Sequence, residues 1–248
     1  MVSYKNKIMK IGITGNTGFI GTHLTDYLQK KGFEIVPFEK EYFLYQDKMD
    51  DFVKQSDVII HLAGRSKPHD KETVYIDNIM LSLKLYSTIK DVKFKGHLIF
   101  VSSIHENKDN YYAKSKSKSR EMLGAFGGKK EYKFTGLILP NVFGAGAKGY
   151  NSFITAFCKQ LYAGWMPKIF KDVEIGLIYI DELVMEIFDV ITKPRYSDYL
   201  QIHTTSEAKI SYILSTLKMF NDGERMIKGK FEINLNTTWE ENLTNWQS

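Results

Sequence analysis

Residues 11–21 read IGITGNTGFIG, a short apolar run that opens into Gly15, Gly18 and Gly21 at G-x-x-G-x-x-G spacing. The spacing alone decides little, since about 0.1 such patterns arise by chance in a chain of this composition. Its setting decides more. An apolar strand at 10–14 runs straight into the glycines. A helix at 19–31 follows, with Phe19, Ile20, Leu24, Tyr27 and Leu28 on one side and Gly32 closing it. A dinucleotide fingerprint must sit at such a strand–helix turn. There Gly15 permits the tight turn, Gly18 lets backbone approach a pyrophosphate, and Gly21 lets the helix pack on the strand. Thr17, Phe19 and Ile20 complete the turn, where free N–H groups and the positive end of the helix dipole favour phosphate.

Outward from this turn, apolar runs and amphipathic segments alternate. Strands are expected at 33–38, 57–62, 97–102 and 134–139, and helices at 77–90 and 112–126, the last closed by Gly127–Gly128. Strands apolar on both faces and separated by helices mean a parallel sheet covered on both sides. The expected fold is therefore α/β, a Rossmann-like doubly wound parallel sheet. After Pro140 the pattern loosens into a loop at 144–149, a helix at 151–162, a strand at 174–180, and helices at 181–192, 206–220 and 239–246. Residues 1–140 are read as a dinucleotide-binding core. Residues 141–248 are read as a small C-terminal substrate-binding lobe packed on that core, the whole forming one structural unit.

Composition narrows the function classes. The 248 residues are 43% hydrophobic and 25% charged, which excludes a disordered or collagen-like chain. The single Cys158 excludes an internal disulfide and a cysteine-based zinc site, and suits a reducing cytoplasm. Lysine and arginine number 34 against 29 acidic residues, a net +5. Apart from Lys114, Lys116, Lys118 and Arg120, which interleave with serines, they are scattered, whereas a nucleic-acid surface clusters them beside stacking aromatics; a mildly basic surface also suits a phosphorylated small molecule. The start, MVSYKNKIMK, lacks the apolar core of a signal peptide, and no apolar stretch is long enough to span a membrane. The expectation is a cytoplasmic chain with neither nucleic-acid nor membrane partners.

Two further features carry chemistry. Glu39 ends the second strand where an acid can hold a ribose 2′-hydroxyl and favour NAD, but Lys40 beside it can take the 2′-phosphate of NADP. The choice stays open. Tyr-x-x-x-Lys is expected about twice by chance in so Tyr- and Lys-rich a chain, and occurs three times, at Tyr27/Lys31, Tyr86/Lys90 and Tyr112/Lys116. The first two read as surface neighbours on their helices. The third opens the helix after LIFVSS, beside the carboxyl end of the sheet where ligands bind. Spacing of i, i+4 puts phenol and ammonium on one helix face, and a nearby cation lowers a phenol towards a useful range. With Ser102 and Ser103 ending the strand, one hydroxyl can hold a carbonyl oxygen beside Tyr112. The set is a proton donor, its tuner and an orienter, with a hydride source bound nearby.

TGNTGFIG, HLAG (61–64), VSS (101–103) and YAKSK (112–116) resemble the extended short-chain dehydrogenase/reductase family of nucleotide-sugar epimerases, dehydratases and reductases. LPNVFG (139–144), YID (179–181) and the closing TTWEENLTNW are similar to further family segments. The resemblance implies Ser103, Tyr112 and Lys116 as catalytic residues. It adds Leu62, Ala63, Gly64, Asn78, Ser102 and Pro140, with Tyr112 and Lys116 again, to the coenzyme site. Ser103 precedes Tyr112 by only nine residues, and with GRSKPHDKE (64–72) and PNVFGAGAKGYNSFITAFCKQ (140–160) this short segment resembles one branch more narrowly. That branch is the reductase domain of bifunctional capsular-polysaccharide enzymes on the route to UDP-N-acetyl-L-fucosamine, which use NADPH. By position Asn141, Tyr150, Asn151 and Ser152 would line the sugar-nucleotide pocket, bordered by His69 and His105.

Two departures accompany the match. The bifunctional enzymes continue into a metal-binding cupin domain, and this chain is expected to act without one. Ile175 stands where many relatives have an arginine that clamps the diphosphate, leaving Lys67 or Lys148 to serve. The resulting expectation is an NAD(P)H-dependent reductase of a 4-keto-6-deoxy nucleotide sugar, UDP- or dTDP-linked, in surface-polysaccharide precursor synthesis. A nucleotide-sugar 4-epimerase with retained NAD is the alternative, and a non-catalytic dinucleotide sensor a third reading. The resemblance also implies a homodimer through the helices at 77–90 and 112–126. His61 reads as a core histidine, no ligand spacing suggests a metal, and Asp181 with Glu182 suit a helix N-terminus.

Overall fold

The structure, a computed structural model, describes residues 8–65, 71–127, 131–147 and 152–221. The helix expected at 239–246 lies outside them. By packing, the chain falls into two compact units, Met1–Ile138 with Ile187–Gln201, and Leu139–Glu186 with Ile202–Ser248.

In the first unit, β1 (Lys10–Thr14), β2 (Glu34–Val36), β3 (Val58–His61), β4 (His97–Ser103), β5 (Lys133–Leu139) and β8 (Ser197–Gln201) form one sheet in the order β2-β1-β3-β4-β5-β8. The pairings of β1 with β2 and β3, of β3 with β4, and of β5 with β8 are all parallel. Every residue of β3 is buried, as are six of the seven in β4, so both faces are covered as the continuous apolar runs require. The helices are α1 (Phe19–Lys30), α2 (Gln46–Gln55), α3 (Lys71–Asp91) and α4 (Tyr111–Gly127). Phe38, Phe52, Leu85, Phe94, Phe100 and Leu123 belong to the core cluster they enclose. The strand order reverses between β1 and β3. A doubly wound sheet leaves its ligand crevice at that point, outside the carboxyl ends of the strands.

The second unit holds β6 (Asn141–Phe143), α5 (Phe153–Tyr162), β7 (Glu174–Tyr179), β9 (Ser206–Lys209) and α7 (Ile210–Asn221); α6 (Ile180–Thr192) runs from it into the first unit. Here β7 pairs parallel with β6 and antiparallel with β9. Phe157, Leu161, Leu177, Leu214 and Leu217 pack into a separate core.

Several elements depart from expectation, and the short strands β6 and β8 were not anticipated at all. The helix expected at 206–220 is a strand for its first four residues, because SEAK pairs with β7 from Ser206 to Lys209 and pairing overrides the helix preference of Glu, Ala and Lys. The α3 helix begins at Lys71, ahead of the expected 77. The α2 helix was not anticipated, since Met49, Phe52 and Val53 are the only residues it buries in QDKMDDFVKQ. No helix among the described residues is long and apolar enough to cross a membrane.

Candidate active site

At the β1–α1 turn the glycines act through space and conformation. Gly15 has φ +75°, a region that costs an L side chain about 1–2 kcal/mol, and a Cβ there would lie 2.8 Å from the Ala63 nitrogen. A Cβ at Gly21 would overlap the Gly15 carbonyl and approach the Asn16 Cα to 2.7 Å. Gly18 is the exposed N-cap of α1, and no side chain caps that helix. An uncapped N-terminus behind a bare glycine turn fits a dinucleotide pyrophosphate. Thr17 is exposed there, with Phe19 and Ile20 half-buried in the first turn.

Across the reversal point, Leu62, Ala63 and Gly64 leave β3 alongside this turn. The Leu62 N–H donates to the Thr14 carbonyl at 3.1 Å and the Ala63 N–H to Thr14 Oγ1 at 3.2 Å. Asn78 on α3 pins the next residue from both sides: its Oδ1 accepts from the Arg65 N–H at 2.7 Å, and its Nδ2 donates to the Arg65 carbonyl at 3.1 Å. The same Nδ2 donates to Ser115 Oγ on α4 at 2.9 Å. The amide is thereby committed to protein groups and shapes the loop. His61 is fully buried with Nδ1 2.7 Å from Thr14 Oγ1; burial first and the Lys116 charge second pull it down to about 3. It is a neutral core group.

Asn110 Oδ1 accepts the Ala113 N–H at 2.9 Å and so starts α4 where the tyrosine–lysine pair needs it. Lys116 is 7% exposed, its Nζ donates to the Val101 carbonyl at 3.0 Å, and it sits 5.1 Å from the Phe100 ring centroid. A Cβ on Gly64 would stand 3.5 Å from that Nζ, so the ammonium lies close to the β3 loop. Burial pulls Lys116 down to about 8. Tyr112 is half-buried, and its phenol oxygen has no hydrogen-bond partner among the described residues. The expected lowering of that phenol is not what the structure gives: burial pushes it up. A low-dielectric setting disfavours phenolate, and the ammonium is held on the Val101 carbonyl. Ser103 Oγ accepts the His105 N–H at 3.2 Å, capping a 3-10 turn over Ile104–Asn107.

Ser102 is engaged differently. Its hydroxyl donates to Glu106 Oε2 at 2.6 Å. The Glu106 carboxylate is buried and is gripped by Arg120, with Nε at 3.1 and 3.0 Å from the two oxygens and Nη2 at 2.7 Å from Oε1. Arg120 Nη1 also donates to the Asp198 carbonyl of β8 at 3.0 Å, and the guanidinium lies 5.2 Å from the Tyr199 ring centroid. Sequence reading missed this pair. The available signal was a glycine, Gly136, inside the apolar strand FTGLIL, which leaves room for the Arg120 methylenes.

The other expected residues are dispersed. Glu39 and Lys40 are exposed after β2, and neither side chain bonds another described residue; Asn16 Nδ2 ties the preceding Phe38 carbonyl to the glycine turn at 3.2 Å. Of the remaining Tyr/Lys pairs, Lys31 Nζ lies 5.3 Å from the Tyr27 ring, whereas Tyr86 is no surface neighbour but stacks on Phe126 at 3.7 Å. In the second unit Pro140 is buried, Asn141 Nδ2 donates to the Gly176 carbonyl at 2.9 Å, Ser152 Oγ caps α5 by accepting from Thr155 N–H, and Ile175 packs on the core. Lys67, His69, Lys148, Tyr150 and Asn151 lie outside the described residues.

A model of the NAD dependent epimerase/dehydratase family matches residues 11–199, which span the glycine turn, the β4–α4 site and β8. The chain belongs to that family. It is 30% identical over 226 residues to the UDP-2-acetamido-2,6-beta-L-arabino-hexul-4-ose reductase of Pseudomonas aeruginosa. That match covers 88% of this chain and 59% of the reductase, so the chain spans about three-fifths of its relative's length. Among solved structures, the capsular polysaccharide assembling protein CapF of Staphylococcus aureus superposes with a TM-score of 0.71 at 24% identity, covering 94% of this chain and 65% of that one. The UDP-N-acetylglucosamine 4-epimerase of Bacillus cereus superposes at 0.76 with 16% identity, covering 97% of each chain. These two likenesses establish the shared fold.

Proposed function

We propose that the chain is an NAD(P)H-dependent reductase of a 4-keto-6-deoxy nucleotide sugar, with Ser103, Tyr112 and Lys116 as its catalytic residues. The observation that carries this reading is the β4–α4 site. A buried ammonium is fixed on the Val101 carbonyl beside the β3 loop, on the helix that presents a protonated phenol whose oxygen has no partner among the described residues. Likeness to a UDP-linked hexul-4-ose reductase supports the substrate class. When bound, a reduced nicotinamide supplies hydride to the C4 carbonyl carbon. Tyr112 gives its proton to the carbonyl oxygen as that oxygen gains negative charge, yielding the alcohol. Its raised phenol keeps the proton in place until then. Lys116 holds positive charge near the developing anion, and the Ser103 hydroxyl donates to the same oxygen.

NADPH is the coenzyme this reading takes, with exposed Lys40 as the cation for the 2′-phosphate and Glu39 as the residue that opposes it. Asn141, Ser152, Tyr150, Asn151 and His105 are assigned to the sugar nucleotide, with Lys67, His69 and Lys148 as supporting groups. Ile76, Met80 and Leu83 are exposed at one-face spacing on α3, which supports a homodimer through α3 and α4. The test mixes purified protein with NADPH and UDP-4-keto-6-deoxy-N-acetylglucosamine or its dTDP counterpart. Loss of NADPH absorbance with formation of the 4-hydroxy sugar is expected; no oxidation with either sugar sinks the proposal.

A further inference from the structure

The ion pair Glu106–Arg120 lies outside the proposed catalytic trio, yet it joins the two elements that carry it. On β4, Val101 and Ser102 are consecutive; on α4, Lys116 and Arg120 are one helical turn apart. Lys116 takes the Val101 carbonyl at 3.0 Å, and Arg120 reaches the Ser102 hydroxyl through the Glu106 carboxylate. Strand and helix are thus tied at two successive levels, immediately before Ser103. The Ile104–Asn107 turn that Ser103 caps also contains Glu106, so the carboxylate fixes the turn from inside.

Arg120 is itself held. Its side chain is 12% exposed and that of Glu106 2%, and its Nη1 ends on the Asp198 carbonyl. A Cβ at Gly136 would lie 2.8 Å from the Arg120 Cδ and would overlap the Asp198 carbonyl, so the guanidinium crosses β5 where that strand has no side chain. A pair this enclosed is not a stability device of first choice, since apolar residues of similar volume often serve as well or better. Its distinctive property is directional: a planar fork meeting both carboxylate oxygens sets distance and angle together.

We propose that Glu106 and Arg120 are positioning residues for the reduction, setting Ser103 against the helix face that carries Tyr112 and Lys116. The proposal rests on the reductase reading above. Displacement of a reacting group by about 1 Å costs about 100-fold in rate. In steady-state assays with NADPH and the sugar nucleotide, Glu106→Gln, which keeps the shape and loses the charge, is expected to lower kcat about 10- to 100-fold. The KM for NADPH is expected to change much less than kcat, because the glycine turn is untouched. Arg120→Lys keeps the charge without the fork and is expected to recover little of the rate.

The apolar double variant Glu106→Leu/Arg120→Met separates positioning from folding. It is expected to regain the thermal midpoint while kcat stays low. Full kcat in Glu106→Gln, or kcat returning together with the midpoint in the double variant, overturns the proposal. Amide hydrogen exchange gives a readout independent of substrate: in Glu106→Gln, protection across 102–107 should fall by about tenfold or more relative to α4, and equal protection overturns the brace. If the parent protein reduces neither sugar while this exchange difference is present, the reductase reading fails and the brace stands.

Discussion

Two strand-to-helix turns at the same edge of the sheet are built in opposite ways. The β1–α1 turn is made of what is missing: Gly15, Gly18 and Gly21 remove side chains, and α1 begins with no side-chain cap. The β4–α4 turn is made of polar groups that satisfy one another, from Ser102 through Glu106 to Arg120, and from the Ala113 N–H to Asn110 Oδ1. The first offers backbone N–H groups to an anion and needs space. The second must hold a hydroxyl, a phenol and an ammonium in register, and needs bracing. On the proposed reading, pyrophosphate binding falls to the first turn and proton transfer to the second, and substitutions should separate them.

The sharpest division is expected at Tyr112. Tyr112→Phe removes the proposed proton donor but keeps the ring, and should lower kcat by about 10²–10⁴-fold while NADPH affinity, read by fluorescence titration, changes far less. A matching loss of coenzyme binding would break the comparison. The converse substitution, Gly15→Ala, places a Cβ at φ +75° and against Ala63. It should weaken NADPH binding by about tenfold or more, each 1.4 kcal/mol being a factor of ten. The Tyr112 site should persist, so saturating NADPH restores most of the rate.

Acidity sharpens the contrast further. With Lys116 pulled down to about 8, its ammonium is intact below that pH and lost above it. The kcat should therefore be level on the acid side and fall about tenfold per pH unit beyond 8. A profile flat into strongly alkaline solution would remove Lys116 from the proposed chemistry. A further effect concerns stability. Folded His61 stays neutral down to about 3, whereas the unfolded chain takes up a proton near 6.5. Stability should then decline as pH falls through that window, and His97, held down to about 4 chiefly by burial, acts in the same direction. The thermal midpoint measured from pH 7 to 4 checks it, and His61→Gln should flatten the slope.

Legibility followed the range of the interactions. Glycines act on their own backbone and nearest neighbours, so the turn at 15–21 could be read from spacing within its strand–helix setting, and so could the Tyr112/Lys116 pair from its place after LIFVSS. Glu106 looked like one more polar residue in HENKD, and Arg120 like the end of a lysine–serine run. Only folding brings them together, across fourteen positions and against β8. The edge strand β8, SDYLQ, is mostly exposed and polar, so no buried face announced it. The phenol of Tyr112 was misjudged for a related reason. Spacing shows that a cation is near but not that a carbonyl already holds it, nor how dry the surroundings are.

Gly136 acts well beyond its own strand. A side chain at that position would collide with the Asp198 carbonyl and with the Arg120 stem. Displacing Arg120 would strand the buried Glu106 carboxylate without its cation. Positions 106, 120 and 136 therefore depend on one another structurally. Within any lineage that keeps this arrangement they should change together, and a descendant that loses the glycine should replace both ends of the ion pair as well.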